Sequence, residues 1–431
     1  MAGLRLSAQT RVDEVPEPQV PVAAPALVER TVKSLGATDG MFDNPVVSPD
    51  GDRVAHVKDI GDRGQRVVVN GEAGLLYVRV FGDTLCFSGD GVALAYAAVP
   101  EGAAPTLVVE KQERLYVHGP GGFSFSPDGK HLAYPAAVPG RGGTSMYRDG
   151  ASVARAEASG RPVFSPDGRH LAFSAWRRPW RTMVLDGKDT GEYEDLRDPV
   201  FSRDSSRVAY AACQKGKWGV VGEGRITGPY DDVGRPVYST DGTVLAHKAS
   251  LAGKWFVVWN KEKSASYDDM RDPVFALIGN RMAWAATDRA NWFVVCEGKP
   301  GKGYSEVADP VFSIDGTHLA YAAVSDGKSI VVCDGRESPD LADVRWLGFS
   351  PDSRHLAVVA SRDGEYSLII DGREGPAHAR IEIPRRYDAL AGKMRCVVFD
   401  RTGTAGVLNV SLVEVDWPAD RTWENAFAAG K

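Results

Sequence analysis

One unit recurs nine times along this chain of 431 residues, and it constrains the fold more than any other feature. An aromatic residue or valine, usually followed by serine, leads into a turn, as in Phe125-Ser126-Pro127-Asp128-Gly129. The anchors are Val47, Phe87, Phe125, Phe164, Phe201, Tyr238, Phe275, Phe312 and Phe349; neighbours stand 37 to 40 residues apart, and the last five steps are all 37. Residues 201–224 and 312–335 match at 12 of 24 positions without a gap, which points to duplication. Length alone suggests two or three domains. A fixed period suggests one domain built from many small units.

Each unit reads as four short strands. An apolar run such as Pro199-Val200-Phe201 ends in a type I turn, where proline fixes φ and glycine takes a left-handed conformation. A second run, His-Leu-Ala-Tyr or Arg-Val-Ala-Tyr, follows, and then a loop often carrying Gly-Lys. A third run, Trp-Phe-Val-Val or Ser-Ile-Val-Val, closes on Asp-Gly or Glu-Gly. A fourth, more polar strand is expected to carry Tyr-Asp-Asp-Val and to lead through Asp-Pro into the next anchor. The strands are four to seven residues long and no helical period is present, so the class is all-β. The 47 glycines fit this density of turns.

In the second strand, large side chains alternate with alanine, as in Leu132-Ala133-Tyr134 and Leu319-Ala320-Tyr321. Successive residues face opposite sides of a sheet, so each sheet has a bulky face and a shallow one. Bulky onto shallow, repeated around a ring, fills the space between sheets at core density. A radial array of four-stranded units of this length is a β-propeller. Ten blades are favoured, with nine as the alternative. The segment from Ile383 onward holds a degenerate unit, with Tyr387 or Phe399 as its anchor, that runs out of strands. The N-terminal stretch around Leu27–Leu35 has strands to spare, so the two ends are expected to complete one blade together and leave no open edge. Residues 1–26 form a Pro/Ala/Val-rich extension and 27–431 a single propeller domain.

The pattern Asp-Pro-Val-Phe-Ser-Pro-Asp-Gly, then His/Arg-Leu-Ala-Tyr, then Gly-Lys-Trp and Val-Val before Asp-Gly, resembles the WD-repeat-like units of TolB-type propellers. Prolyl-oligopeptidase-type enzymes carry similar units. The resemblance covers roughly residues 44–415 and departs at Ala276-Leu277-Ile278-Gly279, where Ser-Pro-Asp is lost. It implies a fold and leaves the role open, because unrelated functions share propellers. The export signal and separate N-terminal domain usual in TolB-type proteins are not read in this sequence, nor is the hydrolase domain of the peptidases.

Lys and Arg number 51 against 57 Asp and Glu, with no basic run or stripe, so no nucleic-acid partner is expected. No apolar stretch reaches the ~18 residues that span a bilayer, and no membrane association is expected. The first thirty residues contain no apolar segment of signal-peptide length, which suggests a cytoplasmic protein. Cys86, Cys213, Cys296, Cys333 and Cys396 form no C-x-x-C pair, and reduced, buried thiols are expected.

No G-x-S-x-G, H-E-x-x-H, Walker A or G-x-G-x-x-G motif occurs, so no catalytic set, metal or cofactor is assigned. Three series of residues remain. His131, His170, His318 and His355 share one slot, which Arg53, Arg207 and Arg281 fill in other units; the plain reading pairs each with a turn aspartate such as Asp128, Asp167, Asp315 or Asp352. Trp218, Trp255 and Trp292 open the third strand in successive units and serve either a ligand or inter-blade packing. Asp43, Arg161, Asp198, Arg235, Asp272 and Asp309 precede the first strand, and are expected to ring one mouth of the channel, a surface suited to a polar ligand or partner segment. The acidic pairs Glu194-Asp195, Asp231-Asp232 and Asp268-Asp269 are placed on the outer strand as a solvated edge.

The leading expectation is a monomeric, non-catalytic binding or scaffold propeller holding a protein, a peptide or a small polar ligand. The alternatives are a lyase or hydrolase with its site in the channel, and a lectin-like glycan binder using the tryptophans.

Overall fold

Each run of short strands forms one antiparallel sheet, and ten such sheets make up the fold. The computed structural model describes residues 27–39, 45–115, 122–138, 142–197, 199–341, 343–384, 392–404, 407–419 and 422–424. The extension 1–26, Tyr387 and the candidate residues Asp43 and Asp198 lie outside them. Numbering the sheets along the chain, blade 1 begins at Val46, blade 5 at Asp195, blade 8 at Glu306 and blade 9 at Asp343. In blades 1 to 9 the strands run from inner to outer in chain order.

Ten apolar clusters fill the ten gaps between neighbouring blades, including the gap between blades 10 and 1. The ring is therefore closed, a ten-bladed β-propeller. The alternation in the second strand does what its pattern implies. Leu319 and Tyr321 face blade 7, while Ala320 between them faces blade 9.

Blade 10 is composite. Its three inner strands are Arg380–Glu382, Lys393–Arg401 and Val407–Asp416, and its outer strand is Glu29–Asp39 from the other end of the chain. Glu29 stands opposite Val415 and Asp39 opposite Val407. Phe399 is a fully buried residue of the second strand, so it is not the anchor of this unit. Charge reinforces the seam: Arg30 reaches the buried carboxylate of Glu414 at 2.7 Å, which Arg395 also holds at 3.1 Å.

His378 sits at the same seam, donating from Nδ1 to Asp400 at 2.6 Å and from Nε2 to Glu29 at 2.9 Å. Burial opposes its charge, but the two carboxylates prevail and raise its pKa. A raised folded value means that the stabilisation is complete below the ordinary histidine value of about 6.5 and is lost as pH climbs through the raised value. The melting temperature of the wild type should therefore fall over that window. His378→Gln should melt lower at pH 6 and show a flatter profile; parallel profiles would refute the assignment.

Within each blade, the first turn is fixed by a side-chain motif. In eight of the nine repeats a buried serine hydroxyl donates to the aspartate two residues on and accepts from the backbone N–H five residues on, as Ser202 does with Asp204 and Arg207. The hydroxyls of Ser202 and Ser206 hold Asp204 down to about 2. Blade 7, with Ala276 in place of serine, lacks the motif.

The histidine slot does pair with a turn aspartate, but at the turn after the third strand. His131 meets Asp149 and His170 meets Asp186, both at 2.7 Å; His318 meets Asp334 at 2.7 Å and His355 meets Asp371 at 2.6 Å. The aspartates named from sequence are already taken by serine, although His355 Nε2 also lies 4.0 Å from Asp352. The slot also binds the next blade's anchor: His131 stacks on Phe164 and His318 on Phe349, while Arg53 lies over Phe87 and Arg281 over Phe312. A flat ring or a guanidinium serves equally well there, which explains why His and Arg alternate. None of the five cysteines forms a disulfide; Cys213, Cys333 and Cys396 are buried, and Cys86 and Cys296 only half-buried.

Candidate functional site: the inner wall of blades 5 to 8

The inner strands of blades 4 to 8 are each broken in two. In blade 7 the halves are Asp269–Met270 and Val274–Phe275, both pairing with Met282–Thr287. The break falls at an Asp-Pro or Arg-Pro step, because proline has no N–H to give the ladder. Blade 9, with Trp346-Leu347 at this register, keeps one continuous strand, Asp343–Phe349. Arg161, Arg235, Asp272 and Asp309 therefore lie partway along the channel wall and not before the strand at its mouth.

The acidic pairs also move. Tyr230, Tyr267 and Tyr304 bridge to Trp218, Trp255 and Trp292 of their own blades, but the residues after them cross to the next blade. Asp195 pairs with Cys213, Asp232 with Ser250 and Asp269 with Thr287, all in second strands. The second acid of each pair thus opens an inner strand and is not part of a solvated outer edge.

Three of the charged candidates come together in consecutive blades. Asp272 of blade 7 lies beside Arg235 of blade 6, and burial raises the pKa of Asp272. Asp309 of blade 8 adds its negative field to the same group. Arg161 is exposed in the break of blade 4.

The tryptophans join the same wall through cations that sequence reading missed. Each indole is half-buried and packs into a blade interface. The Arg197 guanidinium lies 4.2 Å from the Trp218 ring, Lys248 Nζ 5.1 Å from Trp255 and the Arg271 guanidinium 5.8 Å from Trp292, all within cation–π range. Each cation also reaches forward one blade. Arg197 bonds Asp232 at 2.6 Å and the carbonyl of Val233. Lys248 donates to the carbonyl of Met270 at 3.0 Å and lies 3.8 Å from Asp272. Arg271 lies 3.8 Å from Asp309 and 3.9 Å from Glu306.

A signal for these cations is present in the sequence. Arg197 and Arg271 both sit immediately before Asp-Pro, two residues after the inner-strand acid. Blade 6 has Gly234 at that register, and a Cβ there would come within 2.1 Å of Asp272 Oδ1 and 2.5 Å of Lys248 Cγ. Glycine makes room for a lysine supplied by the second strand. A recess of about 490 Å³ opens at this point, lined by Lys248, Asp269, Met270, Arg271, Asp272, Trp292 and Asp309.

No family model matches the chain, and no curated protein matches it. Among solved structures it is similar to a prolyl endopeptidase, at 14% identity over 73% of this chain and 51% of that one, with a TM-score of 0.35. It is also similar to the Dos1 propeller, at 10% identity over 78% and 93% with a TM-score of 0.37. The third is TolB from Acinetobacter baumannii, at 14% identity over 74% and 77% with a TM-score of 0.27. The chain spans about half the length of the prolyl endopeptidase it matches.

Proposed function

We propose that this propeller is a non-catalytic binding or scaffold protein that holds a protein, peptide or polar ligand against the inner wall of blades 5 to 8. One observation carries this reading: the break-point charges Asp272 and Asp309 and the tryptophan Trp292, drawn from two separate residue series, meet around one recess of the inner wall. Mixed charge beside half-buried aromatic rings suits a polar partner. The test is co-purification from native lysate with wild-type protein and with the triple variant Arg235→Gln, Asp272→Asn, Asp309→Asn. A reproducible partner held by the wild type and lost from a normally melting variant is expected. A partner set unchanged by the substitutions would overturn the assignment to this wall.

An enzyme with its site in the channel is the second reading, favoured by the raised pKa of Asp272 beside Lys248. Their 3.8 Å separation is longer than a hydrogen bond that could pass a proton. Turnover abolished by Asp272→Asn with ligand binding retained would favour this reading over binding alone.

A further inference from the structure

Blade 7 breaks the repeat at one turn. Between its first and second strands it carries Ala276-Leu277-Ile278-Gly279, and the other eight repeats hold aspartate at the position of Ile278. In those repeats serine and aspartate brace the turn, and the aspartate places a charge at that end of the ring. Blade 7 gives up both and exposes apolar surface instead, with Leu277 39% and Ile278 58% exposed. The turn is held all the same, by its neighbours. Thr240 of blade 6 donates to the Ala276 carbonyl at 3.0 Å, and Asn280 donates to the Asp241 carboxylate at 2.5 Å. From the other side blade 8 packs so closely that a Cβ on Gly316 would meet the Ile278 carbonyl oxygen at 2.1 Å. Leu277 shares an apolar groove with Phe275 of its own blade and Val311 and Phe312 of blade 8.

Charge frames this surface. Asp241 and Asp315 stand exposed on the flanking turns of blades 6 and 8. Asp241 accepts from Ser239, Thr243 and Asn280, and Asp315 from Ser313 and Thr317. Every one of these donors is neutral, so neither carboxylate has its charge cancelled, and neither forms an ion pair among the described residues. Arg281, the cation beside them, is directed to Glu297 and to the carbonyls of Gly316 and Thr317. Exposed, contiguous apolar side chains rimmed by charge mark an interaction surface. We propose that the turn of blade 7 docks a cationic amphipathic peptide segment of a partner protein, its apolar side chains on Leu277, Ile278 and the groove, and a lysine or arginine at each of Asp241 and Asp315. An acidic segment would be repelled from both sides. A wholly apolar one would cover the two carboxylates without pairing them. The surface is separate from the inner-wall recess, which is lined by the other half of the blade 7 inner strand.

The experiment is selection of a random-peptide display library on the full chain, followed by calorimetry of the best peptide against variants. The selected peptides should combine apolar residues with flanking lysine or arginine. The double variant Ala276→Ser, Ile278→Asp rebuilds the turn of the other repeats, so it should melt no lower than the wild type yet bind about tenfold or more weakly, as loss of a buried isoleucine contact predicts. Leu277→Ser with Ile278→Ser removes the apolar surface without adding charge and should lose binding likewise. Asp241→Asn with Asp315→Asn should weaken binding at low salt and flatten its dependence on salt. The inner-wall variant Arg235→Gln, Asp272→Asn, Asp309→Asn should bind the peptide as the wild type does, so this site and the wall are tested apart. Enrichment of no peptide, peptides lacking the cationic and apolar pattern, equal binding to both altered turns, or binding lost on neutralising the wall would overturn the proposal. Self-association of the wild type that disappears in the rebuilt turn would also overturn it, by making a second copy of the chain the occupant.

Discussion

A chain lacking residues 1–39 should lose on the order of 5 kcal/mol or more of stability and expose the third strand of blade 10 as an open edge. The deletion removes Leu35, which is 2% exposed and packs against Val397 and Phe399, and it strips Glu414 of Arg30. Should the shorter chain prove insoluble, Gly36→Ala probes the same strand more gently. Gly36 lies at a register shift with φ +102, and an added Cβ would meet the Asn70 carbonyl oxygen at 2.9 Å. That substitution should cost about 1–3 kcal/mol. Equal melting temperatures for the wild type, the 1–39 deletion and Gly36→Ala would refute the closure described for blade 10.

His355→Ala should destabilise by about 3–5 kcal/mol, because it leaves a carboxylate unpaired in the interior. Asp371 is 1% exposed and His355 5%, and the imidazole stacks on Trp417. His131→Ala removes the chemically identical contact to Asp149, but there both side chains are more than one-third exposed. Water can replace the lost partner, and about 0–1 kcal/mol is expected. Chemical denaturation of the two variants checks the contrast. Equal losses would mean that the motif acts through something other than burial of its charge.

Much of the architecture was legible because it is local. The 37-residue period, the alternation of Leu and Tyr with Ala, and the turn serines repeat within each unit and declare blade, face and stacking. Even the composite tenth blade could be inferred from strands wanting at one end and spare at the other. What stayed hidden depends on which blade a residue joins. Tyr-Asp-Asp-Val reads as one strand, yet the chain leaves its blade between the tyrosine and the second aspartate, and nothing in that tetrapeptide marks the crossing. The histidine partners were misplaced for a related reason. Two turns lie at the same end of each blade, and serine had already occupied the nearer aspartate. The cations of the inner wall were missed because their contacts run between blades. Lys248 is the hardest case, since its role follows from a side chain absent at Gly234 and a carboxylate in the next unit.

The composite blade also sets an order of events during synthesis. Within the ring, Glu29–Asp39 is made before all nine other blades and its partner Val407–Asp416 after them, so their ladder closes a loop that spans the whole propeller. Contacts of such sequence separation come late and slow the search for the native state. Blades 1 to 9 can each assemble from contiguous residues as the chain emerges, but the ring stays open until its final strands arrive. Throughout that interval the faces of blades 1 and 9 that will meet blade 10 stay uncovered, and they are where a growing chain is most exposed to misassembly.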